Sequence, residues 1–242
     1  MWYNWGCMKH DDPDMERRKR FWIASGIKVL ATVAFIFAIV YVGLRADYWQ
    51  GYAIIAYTVI LMVVVRILFR NRLGVLQERM SPGEGIKGWD RIFWFFYNFF
   101  CLVFFFVAIL DGGKYLWTGE LPWLVYVIAY AVLIASTAMI VWPMYVNPFF
   151  STRVRIQKER GHHVITDGPY KYMRHPGYLA IFFLFPSFSV ALGSLWSLPI
   201  VAVIIVTVVI RTYLEDKTLK RELPGYEEYA KKVKYRLFPG LW

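Results

Sequence analysis

Arg211 and Glu215 lie four residues apart, immediately after residues 176–210, a stretch without one charged side chain. A spacing of four puts both on one helix face. Arg before Glu is the less favoured order for a simple surface pair. An ionisable group beside so much apolar sequence is costly unless it has a task. A guanidinium can grip a carboxylate in a planar, two-pronged way, and a carboxylate accepts from amines and hydroxyls. At the other end of the same stretch stand Arg174, His175, Pro176, Gly177 and Tyr178. Pro176 suits a first helical turn and biases His175 away from helical geometry, which sets an imidazole at a helix mouth. Taken singly, these features also describe an interfacial helix start with a snorkelling arginine and belt tyrosines.

A second polar segment supplies Gln157, Gly161, His162, His163, Val164, Ile165, Gly168 and Tyr170. No metal site is expected, because adjacent histidines do not share a helix face and no cysteine is near. Gly83, Gly85 and Gly88 match the spacing G-x-G-x-x-G, but a dinucleotide fingerprint needs a strand before it and a βαβ unit around it. The expectation here is a plain loop. Cys7 and Cys101 are read as free thiols.

The elements that must position these residues are membrane helices. Of 242 residues, 58% are hydrophobic and only 19% charged, which excludes a disordered chain, a disulfide scaffold and an ordinary soluble domain. Long apolar runs cover 21–44, 48–69, 92–110 and 121–146. Each is about the length a bilayer requires. Residues 176–210 are too long for one crossing and fit a tight hairpin turning at Gly193-Ser194, with helices that continue past the membrane core into polar sequence. That makes six crossings of an all-α, polytopic bundle. With both termini on one side, that side receives 25 Lys and Arg, and the other receives Arg45 and Lys114. The positive-inside rule then makes both termini cytoplasmic. The net charge of +11 reads as loops facing anionic lipid, not nucleic acid. Three regions follow: a cytoplasmic segment 1–20, four crossings in 21–146 with a cytoplasmic loop 70–91, and a C-terminal region 147–242. The last ends in a basic tail with Tyr226, Tyr229, Val233, Leu237 and Trp242 at mostly helical spacing, expected to lie on the membrane surface.

The ordered set over 147–242 resembles the isoprenylcysteine carboxyl methyltransferases and their relatives, the phospholipid methyltransferases. It runs from Gln157 through Gly161–Ile165, Gly168-Pro169-Tyr170 and Arg174–Tyr178, across the uncharged hairpin, to Arg211, Glu215, Pro224-Gly225-Tyr226 and Tyr229. The loop with Glu78-Arg79 and Lys87-x-Trp89-Asp90 looks like bacterial members. The resemblance implies S-adenosyl-L-methionine as methyl donor. It places Gln157, His162, His163, Val164, Ile165, Tyr170, His175, Pro176, Gly177, Tyr178 and Glu215 around the cofactor and Arg211 against the methyl acceptor. Arg211, Glu215 and His175 are then the catalytic candidates. Where the family has paired glutamates, this chain has Glu215-Asp216.

The expected function is therefore methyl transfer from S-adenosylmethionine to a lipophilic acceptor, either a carboxylate of the isoprenylcysteine type or a lipid amine. A carboxylate nucleophile is already ionised and needs no base. An amine would need one, with His175 or Glu215 as candidates. The alternatives are an NADPH-dependent membrane reductase of related fold and a non-enzymatic membrane protein.

Overall fold

The computed structural model describes residues 47–80 and 82–242, and every regular element among them is helical. The helices are α1 (Trp49–Leu68), α2 (Leu73–Met80), α3 (Gly88–Ile109), α4 (Trp123–Val146), α5 (Pro176–Ala191), α6 (Leu198–Glu222) and α7 (Tyr226–Lys232). A π-helical turn, Leu110–Tyr115, extends α3. The chain is an all-helical integral membrane bundle. α1, α3 with its extension, α4 and α6 are each long and apolar enough to cross a bilayer. The expected crossing at 21–44 and the basic segment before it lie outside the described residues.

Side-chain periodicity assigns the faces. On α3, Phe95, Phe99, Leu102 and Phe106 are exposed at spacings of three and four, a stripe available to lipid. Tyr97, Phe100, Phe104 and Ala108 turn inward, where Phe104 packs with Phe185, Val201 and Ile204 of the C-terminal hairpin. An aromatic-rich helix thus serves lipid on one side and the interior on the other. Trp49, Trp117, Trp123, Trp142 and Trp196 remain exposed near helix ends, as interfacial anchors should. Trp94 is the exception, turned into the protein and described below.

The hairpin turns where expected. Gly193 has φ +74°, the left-handed conformation that glycine adopts without strain. Its two arms differ from expectation. α6 runs past the apolar zone to Glu222, but α5 has only 16 residues. At 1.5 Å per residue α5 spans roughly 24 Å, less than the roughly 30 Å hydrocarbon core. The reason is local: Pro176 opens α5, and His175 takes φ −128°, ψ 61°, which ends helical geometry on that side. α5 packs chiefly on α4, and α6 on α3 and α5.

At the opposite end from the basic loops, the π-turn of α3 locks onto the hairpin tip. Buried Asp111 accepts from the Thr118 amide at 2.8 Å and the Thr118 hydroxyl at 2.6 Å. The Tyr48 hydroxyl donates to the Leu192 carbonyl at 2.9 Å. A Cβ at Gly112 would lie 1.9 Å from that same carbonyl oxygen, so this close approach requires glycine.

The tail differs most from its expected form. Helix α7 covers seven residues, and Tyr226 and Tyr229 are buried with Tyr170 and Leu223 instead of facing lipid. Leu237 is fully buried between Met173 and Leu179. The apolar spacing that suggested a membrane-surface helix is satisfied by protein, because segment 147–175 offers a matching apolar face.

Candidate active site

α6 emerges from the apolar zone carrying Arg211, about 20 Å along its axis from Leu198 at 1.5 Å per residue. Arg211 is 5% exposed, so it needs a counter-charge. Asp90, fully buried in the first turn of α3, supplies one, with Arg211 Nη2 3.0 Å from Asp90 Oδ1. The same nitrogen donates to the Thr152 carbonyl at 2.6 Å, and Trp94 Nε1 donates to that carbonyl at 2.9 Å. The rings of Phe93, Trp94 and Tyr178 surround the guanidinium at 4.6, 5.1 and 5.3 Å. Arg211 Nε is buried and has no hydrogen-bond partner.

One turn further, Glu215 accepts from the Tyr178 hydroxyl at 2.5 Å. Tyr178 stacks on His175, with centroids 5.7 Å apart and planes at 14°. His175 Nδ1 lies 4.0 Å from Glu215 Oε1, and Nε2 lies 3.5 Å from Asp216 Oδ1. Nε2 is buried and makes no hydrogen bond. The short α5 and the long α6 therefore bring the two ends of the uncharged stretch together at one level.

Asp216 has a different task from its neighbour. It accepts from Arg174 Nε at 2.7 Å, Arg236 Nε at 3.0 Å and the Tyr226 hydroxyl at 3.0 Å. Arg174 also donates to the Val233 and Lys234 carbonyls, and the amides of Arg174 and His175 bond to the Tyr235 and Arg236 carbonyls. Glu215 faces the cavity, whereas Asp216 ties the tail to the turn that carries His175.

These groups border a cavity of about 260 Å³. Segment 147–170 supplies much of its lining. Gly161 and Gly168 have φ +64° and +59°, and a Cβ at Gly168 would meet Val146 Cγ2 at 3.0 Å. Gln157 is buried, and its amide is occupied by the Phe149 carbonyl and Arg160. It therefore shapes the wall. His162 and His163 pack on Phe149 at 4.6 and 4.9 Å. Burial pushes the His162 pKa down to about 4, and His163, Arg155 and Arg160 add to this, so the ring is neutral at pH 7. Its Nδ1 accepts from the Gln157 amide, which leaves the proton on Nε2. Val164, Ile165, Leu219 and Leu223 join Tyr170, Tyr226 and Tyr229 in an apolar shelf. The Tyr170 hydroxyl accepts from Asn147 at 3.1 Å. Tyr97, Ile140, Ile181, Leu184 and Val208 of the membrane helices also line it.

Every residue singled out from the sequence borders this cavity: Gln157, His162 to Ile165, Tyr170, His175 to Tyr178, Arg211 and Glu215. Sequence reading missed the contribution of the first half of the chain. Asp90 enters the sequence reading only through a likeness to bacterial members, and Trp94 not at all. A carboxylate at the head of an otherwise uncharged helix was the available signal. Glu78 of α2, fully buried, was also missed. It takes a two-pronged grip from Arg155, at 2.8 and 2.9 Å, and so fastens α2 to the cavity segment. The glycine-spaced loop 83–88 has no strand before it. Gly83 packs against Arg155, and Arg155 Nη1 donates to the Glu84 carbonyl, so the loop is a cover. No cluster of three metal-ligating side chains exists among the described residues. Cys101 is a free thiol.

Fold and cavity together define an integral membrane protein whose site is built at the basic end of the bundle, between two polar segments and the C-terminal hairpin. Residues 126–221, which span α4, the cavity segment and nearly all of the hairpin, match the isoprenylcysteine carboxyl methyltransferase (ICMT) family. The protein is thus a membrane protein bearing the signature of a methyltransferase family. No individual curated protein matches the chain.

Proposed function

We propose that the protein transfers a methyl group from S-adenosylmethionine to the carboxylate of a lipophilic acceptor, with the basic end of the bundle in the cytoplasm. The observation that carries this reading is one cavity whose lining combines the polar groups of Arg211, Tyr178 and Glu215 with apolar side chains of the membrane helices. The charge asymmetry of the loops supports the orientation.

The residues present suit such a cofactor. Glu215 is partly exposed to the cavity and can accept from an amino or ribose hydroxyl group. His175 borders the same cavity, with Nε2 3.5 Å from Asp216 Oδ1. The shelf of Val164, Ile165, Tyr226 and Tyr229 suits a flat heteroaromatic ring. The cofactor, when bound, supplies a methyl group already activated on a sulfonium.

The protein's part is then positioning and exclusion of water. Asp90 and the Thr152 carbonyl fix the Arg211 guanidinium, and three aromatic rings keep it dry. Its Nε remains available to hold an acceptor carboxylate in line with the reacting carbon. A carboxylate is ionised at neutral pH, so no side chain must take a proton. The apolar side chains of the lining suit the start of the acceptor's hydrocarbon tail.

Calorimetric titration of the purified protein with S-adenosylhomocysteine, with NADPH as the parallel ligand, tests the cofactor. Micromolar binding of the first alone is expected. Binding of NADPH alone would favour a reductase, and binding of neither by folded protein a non-enzymatic role. Transfer of labelled methyl into a base-labile ester then tests the carboxylate.

A further inference from the structure

The guanidiniums around the cavity are not equivalent. Arg155 has Glu78, Arg174 has Asp216, and Arg211 has Asp90. Arg79, from the last turn of α2, borders the same cavity, and no carboxylate lies within ion-pair distance of it among the described residues. What holds it is aromatic: its guanidinium sits 5.1 Å over the Phe150 ring. Phe150 is itself fixed, since a Cβ at Gly177 would lie 3.0 Å from its Cζ. α2 cannot drift, because the neighbouring Glu78 is clamped by Arg155, and the Arg79 carbonyl accepts from the Thr152 hydroxyl at 3.1 Å. Burial and the like charge of Arg211 both work against the charged form of Arg79, which lowers its pKa. A half-buried cation held over an aromatic ring, bordering the same cavity as a second cation, is stabilised by an anion between them.

We propose that Arg79 is a second anion anchor, which takes an oxygen of a carboxylate shared with the Arg211 side of the cavity. The proposal rests on the methyltransferase reading only for the identity of the ligand. That carboxylate belongs to the acceptor or to the amino-acid end of the cofactor. Arg79 lies outside residues 126–221, so the specificity it confers comes from the cytoplasmic loop and not from the matched hairpin region.

The test uses the whole protein in detergent and the variants Arg79→Gln and Arg79→Lys, with melting temperatures as the control for folding. Four probes are titrated: S-adenosylhomocysteine, 5′-methylthioadenosine, which lacks the amino-acid end, N-acetyl-S-farnesylcysteine and its uncharged methyl ester. Loss of one charge-assisted contact should weaken the affected ligand about tenfold or more in Arg79→Gln. Arg79→Lys should recover part of it. Weakening of the farnesylated acid but not its ester assigns the anchor to the acceptor. Weakening of S-adenosylhomocysteine but not methylthioadenosine assigns it to the cofactor. Unchanged affinity for both acids, or no binding of either acid to the wild-type protein, overturns the proposal. If S-adenosylhomocysteine and the farnesylated acid each bind equally to all three proteins, the methyltransferase reading survives while the anchor falls. If the wild type binds only the farnesylated acid, and does so through Arg79, the anchor stands and that reading falls.

Discussion

Asp90 of α3 and Arg211 of α6 form a buried ion pair at 3.0 Å that joins the first and second halves of the chain beneath the cavity. Asp90 also accepts from the Val154 amide at 3.1 Å, so one carboxylate orders both the guanidinium and the segment that covers it. Removing one member of a buried pair leaves its partner uncompensated, a loss of about 3–5 kcal/mol. Asp90→Ala is expected to lower the melting temperature in detergent and to abolish methyl transfer. Wild-type activity in that variant would show that Arg211 needs no fixed orientation.

Tyr178 and Glu215 provide a milder probe. Their hydrogen bond involves a carboxylate, and such bonds contribute about 1.5–3 kcal/mol. Tyr178→Phe keeps the ring that stacks on His175 and removes only the hydroxyl. Turnover should fall about tenfold or more, with a smaller loss of melting temperature than in Asp90→Ala. Glu215→Gln should weaken S-adenosylhomocysteine binding, while Asp216→Asn should mainly destabilise the fold, because Asp216 anchors the tail. If Glu215→Gln binds the ligand normally, Glu215 is not a cofactor contact.

Gly112 tests the far end of the bundle. A methyl group there meets the Leu192 carbonyl oxygen at 1.9 Å, and backbone cannot swing aside as a side chain can. Gly112→Ala is expected to destabilise by about 3 kcal/mol. Gly119→Ala, where the added Cβ meets nothing within 4 Å but φ is +74°, should cost less, on the order of 1 kcal/mol. Equal melting temperatures for the two variants would contradict the close approach.

The depressed pKa of His162 gives a pH dependence with a definite sign. The unfolded chain takes up a proton near pH 6.5, whereas the folded protein resists until about pH 4. The contribution of this group to stability is therefore complete above pH 6.5, declines as the pH falls towards 4, and is constant below that. His162→Asn should lose less melting temperature than the wild type between pH 7 and pH 4. Parallel curves would show that the ring is not held neutral.

Much of the architecture was legible because membrane helices obey local rules. Runs of apolar residues marked α1, α3 and α4 to within a few residues, since a bilayer demands length and hydrophobicity regardless of partners. The hairpin turn at Gly193 followed from length and from glycine's conformational freedom. The shortness of α5 was less visible, because a proline start reads the same whether or not the helix spans fully. The tail misled for a related reason: an amphipathic pattern reports that an apolar face exists and not what covers it.

The sequence by itself determined the helical class and the concentration of charge at one end, because apolar length and charge are local properties, while the grouping of Gln157 to Tyr178 with Arg211 and Glu215 came from the resemblance of their ordered set to a known family. Tertiary structure decided that Asp90, and not Glu215, pairs with Arg211, that Trp94 faces inward, and that Arg79 reaches the cavity. Those contacts join residues far apart in the chain, and their partners depend on how helices rotate and pack. A single sequence carries no local signature of that arrangement.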